Sequence, residues 1–425
     1  MPRPVPQPPQ PAESLPTAPS YDVTIVGGGI VGLTLACALQ NSGLRIALIE
    51  AQPQSVAIQT GQAYAISLLS SQIFQAIGVW EAIRPQVSPF RQIRLSDADY
   101  PGVVQFFPQD LGTAVLGYVA EHRVLWSALA QQLQQGATVE RLCPATVLSV
   151  DYRDSEAVVT LQQGGVERHL RSRLVVAADG ARSPLRTAAQ IRTYGWQYWQ
   201  ACLVCTVKPE LPHAEIAYER FWPSGPFAIL PLPDNRCRIV WTAPRPEAEA
   251  LLALDDASFL AELRRRYGDQ MGQLTVEGDR FLFPVRLMQC QRYTGPRLAL
   301  VGDAAHGCHP VGGQGLNLGI RDVAALAEVI QQAHQQGQDV GSPTVLAQYD
   351  RWRRRENWVI LGFTDFLVRL FSNEWLPLVL TRRLGLWLLR QVPPVKQLAL
   401  RLMTGLSGRR PVLGGGYCQR LGSTP

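Results

Sequence analysis

"YDVTIVGGGIVGLTLACALQNSGLRIALIE", residues 21–50, decides the fold of this chain. Val23 to Val26 form a short apolar run of strand type, three glycines follow, and small and apolar residues continue with helical spacing to a stop at Gly43. A second apolar run then ends in Glu50, so the segment reads as strand, helix, strand. Gly27 permits the tight turn, Gly29 lets a pyrophosphate approach the backbone, and Gly32 lets the helix press against the sheet. The start of such a helix offers unpaired N–H groups and positive potential to phosphate oxygens. Glu50, about twenty residues after the first glycine, stands where an acid holds the ribose hydroxyls of an adenosine. The segment reads as a dinucleotide site; the bland alternative is a tight turn and nothing more.

Composition bounds the rest. A chain of 425 residues can bury a large core and build two or three lobes around one ligand. Hydrophobic residues at 46% and charged residues at 17% exclude a disordered or coiled-coil protein. The net charge of +6, carried by arginine more than lysine, gives a nucleic-acid partner little support and suits an anionic cofactor or a lipid surface equally well. The eight cysteines show no metal-type spacing, and Cys202 and Cys205 lie in "ACLVCTV", a buried-strand run whose residues three apart face opposite ways. No metal site is expected. Residues 1–20 read as a proline-rich disordered tail rather than a secretion signal, with the fold starting at Tyr21.

Two later segments repeat the strand-then-turn pattern. "LVVAADGARSPLR", 174–186, runs from an apolar strand into Asp179 and Gly180. "RLALVGDAAHGCHPVGGQGLNLGIRDVAALAEVI", 297–330, runs from a strand into Gly302 and Asp303, then through a glycine-rich loop into a long helix. Singly each is an ordinary turn; three in this order point to one cofactor held by all.

With these three fingerprints the chain resembles the FAD-dependent aromatic hydroxylases of the para-hydroxybenzoate hydroxylase type, over roughly residues 21–350. Through "GYVAEHRVLWSAL" (117–129), "AYERFWPSGPFAILPLP" (217–233) and "HPVGGQGLNLGIRDVAAL" (309–326) it looks closest to the ubiquinone-biosynthesis hydroxylases. The resemblance implies an α/β chain: a Rossmann-like FAD-binding domain in three pieces (21–90, 115–186, 286–350), an inserted antiparallel β-sheet substrate domain (91–114, 187–285), and a C-terminal helical region (351–425). It implies FAD as cofactor, NAD(P)H or a redox protein as electron donor, and molecular oxygen added at flavin position C4a before transfer to a phenol. The expected substrate is an apolar, prenylated phenol or quinone precursor of a ubiquinone- or plastoquinone-type pathway.

Residue roles implied by the resemblance follow the motifs. Gly27, Gly29, Gly32, Glu50, Arg123, Asp179, Gly180, Gly302 and Asp303 would hold FAD. Gly313, Gly315, Leu316 and Asn317, at the start of the long helix, would face the pyrimidine edge of the flavin, where negative charge collects on reduction. Pro310, through its carbonyl, and Gly315 are the candidate catalytic positions. His306 and His309 read as packing residues of the loop rather than general bases. Tyr218, Arg220 and Trp222 are candidate substrate contacts. Gln62 stands where close relatives commonly carry an arginine, which puts one cofactor contact in doubt.

After residue 350 arginine mixes with tryptophan and leucine, and no stretch reaches the ~18 uninterrupted apolar residues of a membrane span. The region reads either as an amphipathic surface resting on a bilayer or as a helical cap on the FAD domain. A cytoplasmic enzyme, peripheral at a membrane if at all, is expected. Rival readings are a flavin-dependent reductase on the same scaffold and a non-catalytic flavoprotein subunit of a quinone-synthesis assembly. A flavin halogenase is disfavoured because its tryptophan-rich segment is missing.

Overall fold

The computed structural model describes residues 18–415 apart from residues 60, 99 and 137; the expected proline-rich tail falls outside them except for its last three positions. The opening segment folds as β1 (Ser20–Val26), α1 (Ile30–Leu39) and β2 (Ile46–Ile49). Helix α1 is apolar all round and buried at nine of its ten residues, as a helix clamped between a sheet and other helices must be. Strand β3 (Val166–Ala177) pairs in parallel with the other side of β1.

A second sheet is built from β4 (Thr193–Pro209), β5 (Ile216–Trp222), β6 (Gly225–Leu232), β7 (Arg236–Pro244) and β8 (Leu274–Cys290), in the order β8-β4-β7-β6-β5 and antiparallel throughout. The chain returns to the first sheet with β9 (Leu298–Leu300), parallel to β3. Among the described residues four long helices follow, α2 (Gln314–Gln335), α3 (Pro343–Phe371), α4 (Leu376–Gln391) and α5 (Pro393–Met403), and then one short turn of helix, Val412–Gly415. Among the described residues these two sheets have eight strands each and a third has three, and β5 pairs on its other side in parallel with the strand Gln92–Asp97. The protein is mixed α/β, with a Rossmann-like sheet and a second, mostly antiparallel sheet. Strand β8 and helix α3 run straight through the domain boundaries expected at residues 285 and 350, because each is a single long element joining the layers.

Alternation sorts the second sheet into two faces. Leu203, Cys205, Phe227, Ile239 and Trp241 pack outward against the helices Arg245–Ala253 and Asp256–Tyr267. Cys202, Val204, Ala217, Phe221 and Leu232 pack inward with Val311, Leu318 and residues of α3 to α5. Cys202 and Cys205 thus lie on opposite faces, as the strand period of two requires.

Candidate functional site

The strand order β9-β3-β1 brings the three motifs together. Val26 lies beside Ala177 and Ala177 beside Leu300, so Gly27, Asp179 and Gly302 leave the carboxyl ends of three adjacent parallel strands. That edge is where open α/β sheets bind ligands.

At the first motif, sterics dictate glycine. Gly27 has φ +112°, and a side chain there would meet the Ala178 carbonyl oxygen at 2.3 Å. A Cβ on Gly32 would lie 1.9 Å from the Gly27 oxygen. Gly29 differs: its backbone is extended, and a Cβ there would meet nothing within 4 Å. No side chain caps α1, so its first-turn N–H groups open onto that space. The Glu50 carboxylate accepts from Gly28 N at 2.5 Å and Gln52 N at 2.7 Å.

The second and third motifs are wired to one another. Arg186 donates to the carbonyls of Ala304 (2.9 Å) and Ala181 (3.1 Å). Asp179 accepts from Leu185 N at 3.2 Å, while its other oxygen is buried with no partner, and burial raises its carboxyl pKa. Asp303 remains open to solvent although protein surrounds it closely, the condition of a group lining a narrow cleft; burial again raises its pKa. Gly302 presses on Val31 of α1, which sets Asp303 next to the open helix start.

The glycine-rich loop closes the cleft's far end. Gly312 and Gly313 have φ +67° and +61°, and Gly313 serves as the left-handed N-cap of α2 without a side-chain cap. The α2 N–H groups at Gly315 and Leu316 therefore stand partly open. The Asn317 side chain is fully occupied: Oδ1 accepts from Ser67 N and Ser70 Oγ, and Nδ2 donates to the carbonyls of Ala65 and Gly313. It clips the loop in place, leaving only its backbone to face a ligand. The Pro310 carbonyl accepts from Gly313 N at 2.9 Å, with one lone pair to spare.

Both histidines are enclosed. His309 takes a hydrogen bond from Val311 N on Nδ1 and lies 3.3 Å from Gln200 Oε1 through Nε2; burial lowers its pKa to about 3, so it is neutral. His306 Nε2 lies 2.6 Å from Asp322, which also accepts from Gly302 N, Arg353 and Asn357. Burial alone would raise the Asp322 pKa, but His306 and Arg353 outweigh it and lower it. This cluster ties the Gly302 turn to α3. Replacing Asp322 with asparagine leaves the buried Arg353 guanidinium with Glu356, at 2.6 Å, as its remaining acid and is expected to cost about 1–3 kcal/mol, read as a fall in thermal midpoint.

Three expected substrate contacts lie on the face of the second sheet that carries the helices Arg245–Ala253 and Asp256–Tyr267. Tyr218 and Arg220 line a cavity of about 340 Å³ that includes Arg94, Ser96 and Gln105, on the outward side of the sheet. Tyr218 packs edge-on against Tyr267, and Trp222 lies under Arg266. Strand parity is the reason: with Ala217 and Phe221 inward, Tyr218, Arg220 and Trp222 point to the other face. Parity turns Glu219 inward instead. It is hydrogen-bonded by the Gly312 backbone, partly open to solvent, and burial raises its pKa to about 8. A lone carboxylate at alternating position with Ala217 and Phe221 is the signal that could have found it.

Arg123 bonds Glu121 at 2.8 Å with its side chain 63% exposed, and Glu121 also holds Arg236 at 3.0 Å. Gln62 accepts from Tyr64 OH, which lies 3.1 Å from His122 Nδ1. Trp126, unnoticed in the sequence, donates from Nε1 to Gly28 O and braces the first glycine turn.

Taken together, an uncapped helix start beside an open glycine, an acid at the end of β2, and cleft-lining carboxylates fit a long dinucleotide that ends at the 311–316 loop. Residues 20–364 match the family described as FAD binding domain. An uncharacterized protein of Synechocystis is 53% identical over 396 residues, covering 93% of this chain and 96% of that protein. A ubiquinone hydroxylase, UbiL, of Rhodospirillum rubrum is 42% identical over 390 residues, covering 90% and 89%. The crystal structure of p-nitrophenol 4-monooxygenase from Pseudomonas putida superposes with a TM-score of 0.78 at 20% identity, covering 92% of this chain and all of that one, a likeness of fold.

Proposed function

The chain belongs to the FAD-binding family and is an FAD-dependent aromatic-ring monooxygenase, and from that premise we propose that it hydroxylates a prenylated phenol or quinone precursor in the making of a ubiquinone- or plastoquinone-type quinone. The relative named as a ubiquinone hydroxylase supports the pathway. The observation that carries the substrate class is the inward face of the second sheet. Glu219, Ala228, Val240 and Val204 form one cross-strand row, flanked by Cys202, Leu230 and Phe283. A largely apolar row with Glu219 at its end, bordered by the buried Arg238 and Thr242, suits a ring that carries a hydroxyl and a greasy substituent.

FAD, when bound, supplies the electron relay and the activation of oxygen. The chain's own residues do the rest. Gly27, Gly29, Gly32 and the start of α1 would receive the pyrophosphate, Glu50 the ribose, and Asp179, Gly180, Gly302 and Asp303 the linking chain. Arg123 would offer its charge from the rim. Gly313, Gly315, Leu316 and the backbone of Asn317 would present N–H groups to the ring end and stabilise negative charge there. Pro310 and Gly315 border the reacting centre. Glu219 accepts the hydrogen bond of the phenol and draws off its proton, enriching the ring for attack on electrophilic oxygen. The apolar sheet face keeps water from the reaction.

NAD(P)H or a redox protein supplies the electrons, and the enzyme works in the cytoplasm with access to lipid-dissolved substrate. No helix among the described residues is long and apolar enough to cross a membrane. Disrupting the gene in its native host is expected to cause a prenylated phenol, one hydroxyl short, to accumulate. A normal quinone pool with no accumulated precursor would refute the assignment.

A further inference from the structure

Helix α4 is built inside out. Its inward side carries Arg382, buried and paired with Asp97 at 2.9 Å, together with Leu386. Its outward side carries Leu376, Leu380, Leu384 and Trp387, each more than half exposed. Their spacing of four, four and three residues places them on one stripe. Leu398 on α5 and Trp358 and Phe366 on α3 are also exposed. Isolated exposed leucines are ordinary on a protein surface; a continuous stripe turned from the core marks a contact.

The charges beside the stripe select its partner. Between residues 374 and 403 the sequence has five cations, Arg382, Arg383, Arg390, Lys396 and Arg401, against one acid, Glu374. Arg382 and Lys396 are taken up by Asp97 and Asp110. Among the described residues Arg390 and Arg401 make no ion pair, and both are exposed. A two-fold contact of this face with its own copy would bring these like charges together. An anionic lipid surface instead receives leucine and tryptophan at the acyl boundary and arginine at the headgroups.

We propose that the outward face of α4 and α5 docks on an anionic lipid bilayer, close to where the end of α5 meets the glycine-rich loop. The link is short: Gln314 donates to the Met403 carbonyl at 3.0 Å, and Leu69 N to the Thr404 carbonyl at 3.3 Å. A Cβ on Gly312 would lie 2.1 Å from Met403 Cε. The end of α5 thus rests on the loop whose other side faces Glu219. The docking stands on the helix face itself and rests on the proposed apolar substrate only for its purpose.

The test is sedimentation of the FAD-loaded full chain with sucrose-loaded vesicles of phosphatidylcholine, with and without phosphatidylglycerol. The wild type is expected to pellet with the mixed vesicles and to be released by high salt. Leu380→Glu with Leu384→Glu, at exposed positions, should lower the bound fraction at least about tenfold while FAD content and thermal midpoint stay unchanged. Arg390→Ser with Arg401→Ser should abolish the preference for phosphatidylglycerol. The proposal is overturned if the wild type stays in solution with mixed vesicles, or if the leucine variant binds as well as wild type. It is also overturned if the wild type is a dimer without lipid that the leucine variant converts to a monomer. Hydroxylation of a water-soluble phenol without vesicles is scored separately: its absence counts against the proposed reaction and leaves the docking result standing.

Discussion

Replacing Glu219 with glutamine is expected to lower the hydroxylation rate on the order of 10²-fold or more with FAD content unchanged. Glutamine keeps the shape and can still accept a hydrogen bond, but cannot take a proton. The position favours this use: Glu219 faces inward between Ala217 and Phe221, next to Gly312, with burial raising its pKa to about 8. Only the carboxylate accepts the proton, so kcat/KM for a phenol should rise with pH through a limb near 8, and that limb should vanish in Glu219→Gln. Stability should move oppositely. Between the ordinary carboxylate range and about 8 the folded state holds a proton that the unfolded state has lost, so stability falls as pH rises. Glu219→Gln removes that burden, and its thermal midpoint should exceed the wild type's most clearly above pH 8. Equal rates and parallel pH profiles would show that Glu219 only fills space.

Gly29→Val and Gly32→Ala are expected to fail in different ways although they lie three residues apart. Alanine at 32 would set its Cβ against the backbone oxygen of Gly27, with no flexible group to yield, so the turn between β1 and α1 cannot close. That variant should be recovered unfolded or not at all. Valine at 29 meets no protein atom through its Cβ and sits in extended backbone that any residue adopts. That variant should fold with a near-normal thermal midpoint yet lose FAD, because its side chain occupies the approach to the α1 N–H groups. Each charge-assisted hydrogen bond forgone weakens binding by about 1.5–3 kcal/mol, roughly 10- to 100-fold. A Gly29→Val protein that retained flavin through dialysis would place the pyrophosphate elsewhere.

How much of this was legible beforehand differed by scale. The βαβ opening was readable because buried parallel strands are continuous apolar runs, and each glycine in the turn answers a local steric demand. The meeting of Gly27, Asp179 and Gly302 was an inference from motif order; the physical cause is the pairing of β3 between β1 and β9, which local sequence does not encode. Tyr218, Arg220 and Trp222 were singled out because large side chains attract notice, whereas strand parity sets them on the face opposite Glu219. The loop residues were named from their motif alone, yet the fourfold engagement of the Asn317 side chain depends on Ser67, Ser70 and Ala65, some 250 residues away, as well as on Gly313. The inside-out character of α4 was hidden for a similar reason: its buried arginine is explained only by Asp97, far upstream.

The most direct test of the central claim is turnover of the FAD-loaded protein with a reductant, a prenylated phenol and ¹⁸O-labelled molecular oxygen. Substrate-dependent oxygen uptake and a product carrying one labelled atom as a new ring hydroxyl are expected. Product formed without label, or oxygen uptake that ignores the phenol, would contradict it.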